Sequence, residues 1–101
     1  MTGLDLTAPD LDEVKAILRA HVPDIEVRAF GSRVAGTARK TSDLDLALMT
    51  EAPLDLDLLG TLRDALSESD LPFRVDLVDW ARTGEDFRRV ISQRFVVLQP
   101  G

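Results

Sequence analysis

Residues 42–48 read Ser-Asp-Leu-Asp-Leu-Ala-Leu, and they contain the clearest strand pattern in the chain. Apolar and polar side chains alternate from Asp43 to Met49, which predicts a β-strand with one face in the core. Side chains two residues apart share a face of a strand, so Asp43 and Asp45 point the same way, away from the leucines. Two carboxylates on one face repel each other and lose solvation unless a cation compensates them. The stretch therefore predicts a cation-binding strand or, alternatively, an edge strand whose solvated face happens to carry two aspartates.

The rest of the chain alternates between helical spacing and short apolar runs bounded by turn residues. In chain order we expect a helix over 9–21 capped by Thr7, a strand over 25–30, a loop or short helix over 32–41, a helix over 54–69, a strand over 72–80, a short helix that contains Phe87, Val90 and Ile91, and a strand over 95–99. This order predicts an α/β (α+β) fold with a small mixed β-sheet flanked by helices. Because 101 residues are too few for two domains, we expect one domain over 1–101.

The composition limits the possible functions. With 12 basic against 18 acidic residues, the net charge is −6, so we expect no direct binding to nucleic acid, although this charge can also reflect solubility alone. The chain has no cysteine, which leaves oxygen ligands or the single His21 to hold any metal. No signal-like N-terminus is visible, and no apolar run approaches the roughly 20 residues of a membrane span. We therefore expect a cytoplasmic protein that does not bind membranes.

A glycine–serine turn precedes the acidic strand. Gly31 and Ser32 follow an apolar strand, and such a turn lets backbone N–H groups approach a phosphate closely. Arg33 lies beside this turn and is predicted to pair with a phosphate oxygen, or alternatively to form a surface ion pair. The spacing excludes a P-loop, because no Gly-Lys-Ser/Thr follows, and the Rossmann glycine pattern is absent as well.

A third carboxylate interrupts the apolar run of the strand over 72–80. Asp76 and Asp79 have opposite parity in that strand, so only one of them can face Asp43 and Asp45. We choose Asp76, because its mid-strand position and its face-mates Val78 and Trp80 suggest the deeper site. Asp79 is expected to be a solvated residue at the strand end.

The arginines of the last helix have two interpretations. Arg88, Arg89 and Arg94 are predicted to form a solvated face, with docking of a partner as the alternative. Trp80 is expected to close the sheet, with stacking on a base as the less favoured alternative.

The chain resembles the polymerase β-like nucleotidyltransferase superfamily in one combined motif. The motif consists of Gly31-Ser32-Arg33, ten residues between Ser32 and Asp43, the Asp43-x-Asp45 strand and the later Asp76. More narrowly, the chain is similar to its minimal nucleotidyltransferase (MNT) family, whose antitoxins pair with HEPN-domain toxins. The resemblance covers nearly the whole chain, and it implies transfer of AMP from ATP to a hydroxyl of the HEPN partner.

The resemblance also implies residue roles. Asp43, Asp45 and Asp76 would be catalytic and would hold two Mg²⁺ ions, and Gly31, Ser32 and Arg33 would bind the nucleotide. Two alternatives remain open, namely an antitoxin that acts by binding alone and an enzyme that modifies a small hydroxyl compound such as an aminoglycoside. The sequence leaves undetermined the base specificity, the acceptor residue, the oligomeric state and whether inhibition of the partner is catalytic.

Overall fold

The computed structural model describes residues 3–101, which form four strands and four α-helices. The helices are α1 (Ala8–His21), α2 (Ser32–Ala35), α3 (Leu56–Ser67) and α4 (Glu85–Gln93), and the strands are β1 (Val27–Phe30), β2 (Leu44–Leu48), β3 (Val75–Asp79) and β4 (Val96–Gln99). A short 3₁₀ turn, Trp80–Arg82, follows β3. The predicted fold class and element order are confirmed, and segment 32–41 is a short helix followed by a loop.

The four strands form one mixed sheet in the order β3-β2-β1-β4. Strand β2 runs parallel to β3, to which α3 connects it, whereas β1 is antiparallel to both β2 and β4. The acidic strand β2 is therefore an inner strand, and the edge-strand interpretation of its two aspartates is wrong.

The core lies mainly on the sheet face covered by α1 and α3. Leu44, Leu46 and Leu48 of β2 are fully buried there, as their alternation predicts. On the opposite face a smaller cluster joins Phe30, Ala47 and Ile91. Because the α4 side of the sheet buries much less, that face stays partly open beyond the cluster.

Helix α1 begins where the sequence predicts. The hydroxyl of Thr7 accepts a hydrogen bond from the backbone N–H of Asp10 at 3.3 Å, which satisfies one free donor of the first turn. Asp55 caps α3 in the same way, so this helix starts two residues later than predicted. Within residues 3–101, no helix has the length and apolar character needed to cross a membrane.

Helix α4 contains the three apolar residues that the sequence predicts for it and buries one of them. Ile91 is fully buried, but Phe87 is 44% exposed and Val90 is 53% exposed. The helix has only nine residues and covers only part of the sheet, so the other two apolar side chains lie at the border of the open face. The prediction of a last short helix that contains these three residues is confirmed.

Asp79 ends β3 as a buried carboxylate. It is only 6% exposed, accepts a hydrogen bond from the Thr50 hydroxyl, and accepts others from the Leu54 N–H at 2.8 Å and the Arg82 guanidinium at 3.1 Å. Burial by itself would raise the pKa of Asp79, but these hydrogen bonds outweigh it and lower the pKa. The expectation of a solvated residue is therefore wrong, because Asp79 joins the end of β3 to the segment that leads into α3.

Replacing Asp79 with Asn should destabilise the fold by about 2–3 kcal/mol, because an amide N–H group would face donors that now bind a carboxylate. The lowered pKa means that this contribution is complete above the ordinary Asp pKa of about 3.9 and is lost as the pH falls through the lower folded-state value. Urea unfolding at pH 7 and at pH 3 should show a large difference between wild type and variant that shrinks in acid. Asp76→Asn, exposed on the other face of β3, is the control and should stay within about 0.5 kcal/mol of wild type. Equal stability of Asp79→Asn and wild type at pH 7 would contradict the assignment.

Candidate active site

The parallel pairing of β2 with β3 sets two carboxylates side by side. Asp45 is in register with Asp76, and on its other side Asp45 is paired with Phe30, the residue before Gly31. Neighbouring strands lie about 4.8 Å apart, so residues in register on one face are within reach of a common ion. The strand alternation that put Asp76 and Asp79 on opposite faces thus agrees with the register, which sets Asp76 beside Asp45. The burial argument was wrong, because Asp76 is exposed and Asp79 is the buried one.

This arrangement has an electrostatic cost at Asp45. Its partial burial raises its pKa above the ordinary value, and the nearby charges of Asp76 and Asp43 raise it further. All three causes penalise the ionised carboxylate, and a cation between the carboxylates would reverse the penalty from the two charges. The site is therefore an unbalanced cluster of negative charge.

Asp43 is less closely associated with this pair. It precedes β2, is exposed, and lines a neighbouring cleft together with Asp76 and Arg63, whereas Asp45 lines the cleft on the α4 side. Residues 3–101 contain no group of three His, Cys, Asp or Glu side chains arranged to hold a metal by themselves. The structure thus brings Asp45 and Asp76 into one cleft and leaves Asp43 at its border.

Gly31 lets the chain pass directly over Asp45. Its φ of 82° and ψ of −154° belong to a region that is essentially restricted to glycine. A Cβ at this position would collide with Oδ2 of Asp45 and would lie 3.2 Å from its Cγ. Ser32 is half-buried and opens α2 immediately after this contact. The glycine–serine turn and the acidic strand therefore form one compact unit.

Arg33 is not directed at the cleft. Its side chain is buried and donates hydrogen bonds to backbone carbonyls of Ser42 at 2.8 and 3.0 Å, Lys40 at 3.1 Å and Asp5 at 2.9 Å. Its guanidinium also stacks on Phe73, 4.2 Å from the ring centre. The predicted contact between Arg33 and a phosphate is therefore not supported, since its donors hold the loop that leads into β2.

The cleft above Asp45 and Asp76 has a volume of about 640 Å³, which is within the usual range for small-molecule sites. It is lined by Phe30, Gly31, Ala35, Asp45, Asp76, Val78, Phe87, Val90, Gln93 and Arg94. One end of the cleft thus carries the carboxylates, and α4 supplies a largely apolar wall. There the ring of Phe87 from α4 meets the ring of Phe30 from β1 edge to face, with the ring centres 5.8 Å apart. The sequence did not indicate that residues of α4 line the cleft. Phe87, Val90 and Ile91 lie on one apolar stripe of the helix, and helical spacing alone does not show which of them face the cleft and which face the core.

Trp80 and two of the three arginines predicted for the last helix take part in the fold or in local pairs. Trp80 packs with the small cluster on the α4 face, as expected for a residue that closes the sheet. Arg88 donates to the Trp80 carbonyl at 2.7 Å and lies over its ring, and Arg89 pairs with Asp86 at 3.6 Å. Arg94 differs from both, because it lines the cleft. The prediction of one solvated face is therefore wrong for Arg88, which is half-buried against Trp80, whereas Arg89 and Arg94 are exposed.

The sequence matches known proteins over most of its length. Residues 12–99 match the family model described as polymerase beta, nucleotidyltransferase. A Haemophilus influenzae protein named probable protein adenylyltransferase MntA is 56% identical over 96 residues, which cover 95% of this chain and 84% of that protein.

Solved structures show the same fold. A toxin–antitoxin complex with AMP-PNP contains a chain that superimposes with a TM-score of 0.75 at 26% identity, covering 90% of this chain and 73% of that one. A second structure, a tri-AMPylated Shewanella oneidensis HEPN toxin with its MNT antitoxin, matches with a TM-score of 0.63 at 22% identity over 92% of this chain and 71% of that one.

The close approach of Gly31 to Asp45 predicts a specific effect of adding one methyl group. Gly31→Ala should destabilise the fold by about 1–3 kcal/mol through backbone strain, and it should also displace the Asp45 carboxylate. Gly36→Ala is the matched control, because Gly36 has a similar φ of 81° but open space around its Cβ position. Urea unfolding should therefore show the larger loss for Gly31→Ala. Equal losses for the two variants would contradict a close contact at Gly31.

Proposed function

Since the chain belongs to the polymerase β nucleotidyltransferase family and to its MntA group, we propose that it transfers AMP from ATP to a hydroxyl of a partner protein. The partner in this proposal is a HEPN-type toxin, and the chain is its antitoxin. The observation that carries the proposal is the pairing of Asp45 with Asp76 in one cleft beside Gly31.

The relatives support the acceptor and the donor separately. The 56% identical Haemophilus influenzae relative is named as a protein adenylyltransferase, which supports a protein acceptor. The 26% identical structure is a toxin–antitoxin complex with AMP-PNP, which supports ATP as the donor and a toxin as the partner. The proposal places the reaction in the cytoplasm, where ATP is available, and treats residues 1–101 as one nucleotidyltransferase domain.

The carboxylates suit Mg²⁺, which takes oxygen ligands and is commonly held by one or two carboxylates together with substrate phosphates. Asp45 and Asp76 would provide the core of such a site, with Asp43 added from the border of the cleft. The raised pKa of Asp45 supports this, since its carboxylate lacks a compensating positive charge. Two bound Mg²⁺ ions would neutralise charge on the phosphates and on the leaving pyrophosphate.

In the proposed reaction the acceptor oxygen attacks the α-phosphorus of ATP. A new oxygen–phosphorus bond forms, the bond from the α-phosphorus to the bridging oxygen breaks, and pyrophosphate leaves with its electron pair. A carboxylate oxygen of Asp76, which is exposed on the cleft side, accepts the proton of the attacking hydroxyl. Gly31 and Ser32 hold the terminal phosphates, and Arg33 fixes the loop before Asp43. Positioning and charge neutralisation supply most of the acceleration in such transfers.

The proposal predicts that label from α-phosphorus-labelled ATP moves to the purified partner toxin when Mg²⁺ is present, and that γ-labelled ATP transfers nothing. Asp45→Asn and Asp76→Asn should each reduce single-turnover transfer by about 10³-fold or more, because each removes a carboxylate that would hold the metal ions beside the reacting phosphate. Asp64→Asn, an exposed carboxylate of α3 away from the cleft, is the control and should transfer at the wild-type rate. All variants are compared by thermal unfolding.

The alternatives give different results in the same assay. If Asp45→Asn neutralised the toxin as well as wild type while transferring no label, the chain would act by occlusion. Label on an aminoglycoside but none on the toxin would indicate a small hydroxyl acceptor. Undiminished transfer by both Asp45→Asn and Asp76→Asn would contradict the proposed site itself.

A further inference from the structure

The cleft needs positive charge that Arg33 does not provide. A nucleoside triphosphate brings about four negative charges to a site that already holds Asp45 and Asp76. The donors of Arg33 are directed to backbone carbonyls outside this cleft. Among the residues that line the cleft in the described part of the chain, Arg94 is the one cationic side chain.

Arg94 is also free of the ion pairs that engage other arginines. The ion pairs formed within residues 3–101 join Arg28 to Glu26, Arg82 to Asp79 and Arg89 to Asp86. Arg94 is exposed and follows the last residue of α4 in an extended conformation, with φ −156° and ψ 119°. Its guanidinium is therefore available to an anion in the cleft.

The sheet register defines how far Arg94 lies from the carboxylates. Arg28 pairs with Val97 and Ala29 pairs with Val96, and Arg94 lies just before β4 where that strand leaves α4. On the cleft side Asp76 is in register with Asp45 and Asp45 with Phe30, and Gly31 and Arg94 line the same cleft. With strands about 4.8 Å apart, Arg94 lies on a strand line about 10 Å from that of Asp45. Arg94 therefore lies on the side of the cleft away from Asp76, where its long side chain faces the part of a bound triphosphate farther from the two carboxylates.

We infer that Arg94 is a specificity-determining residue that binds a non-transferred phosphate of the nucleoside triphosphate. The inference rests on the proposed function and adds how the site distinguishes a triphosphate from a monophosphate. A planar guanidinium matches two phosphate oxygens at once, which a solvated lysine does less well. The structural alternative is that the charge of Arg94 only stabilises the C-terminal end of α4 through the helix dipole.

Titration calorimetry with Mg²⁺–ATP and with AMP separates these roles. Arg94→Gln should weaken ATP binding roughly tenfold or more and leave AMP binding unchanged, because only ATP carries the outer phosphates. Arg94→Lys should recover part of the loss. Arg89→Gln, an exposed arginine of α4 outside the cleft, is the control and should bind both nucleotides as wild type does. Thermal unfolding of each variant checks for an effect on the fold.

Two results would overturn the assignment of Arg94 alone. These are wild-type ATP affinity in Arg94→Gln, and an equal loss of ATP and AMP affinity, which would indicate a structural effect. If the wild-type protein bound no Mg²⁺–ATP, the proposed function would fail, and the role of Arg94 would fail with it.

Discussion

The repulsion between Asp45 and Asp76 is the constraint around which this structure is organised. Register pairing on neighbouring parallel strands forces the two carboxylates together, and the fully buried leucines of β2 on the opposite face fix that register. A shift by one residue would turn those leucines to the open face, so the core holds the carboxylates in an unfavourable arrangement. Part of the free energy of folding thus maintains a cluster of negative charge that becomes favourable when a cation binds. Active sites commonly show this conflict between local stability and function.

Charged residues of the same type serve different purposes in this chain according to what surrounds them. Asp79 and Asp76 are three residues apart on one strand, yet Asp79 is buried among donors and stabilises the fold, whereas Asp76 is exposed beside another carboxylate. The arginines divide in the same way. Arg33 is saturated by backbone carbonyls and organises the loop before Asp43, while Arg94 lines the cleft without an ion pair. The net charge of the chain therefore says little about the site. The charges that define the cleft are those of Asp45, Asp76 and Arg94, which form no ion pair within residues 3–101.

The sequence predicts the elements and the faces of the strands well, because both depend on local periodicity. Alternation around Asp45 gives the strand and its buried face, and parity puts Asp76 and Asp79 on opposite faces of the sheet. Burial is harder to predict, since it depends on contacts between distant segments: the donors to Asp79 come from Thr50, Leu54 and Arg82. The same limit applies to Arg33, whose acceptors are loop carbonyls, and to Phe87, whose exposure depends on how much of the sheet a nine-residue helix covers. The three-aspartate site itself stays a prediction, since residues 3–101 place two of those carboxylates in one cleft and the third at its border.

In the proposed function, Asp45 and Asp76 together hold the metal that accompanies the nucleotide. The most direct measurement is a crystal structure with AMP-PNP and Mn²⁺, which shares the preference of Mg²⁺ for oxygen ligands and is located by its anomalous scattering. We expect a Mn²⁺ peak in contact with carboxylate oxygens of both residues and with phosphate oxygens of the nucleotide. A nucleotide bound with its Mn²⁺ away from these two carboxylates would contradict this assignment.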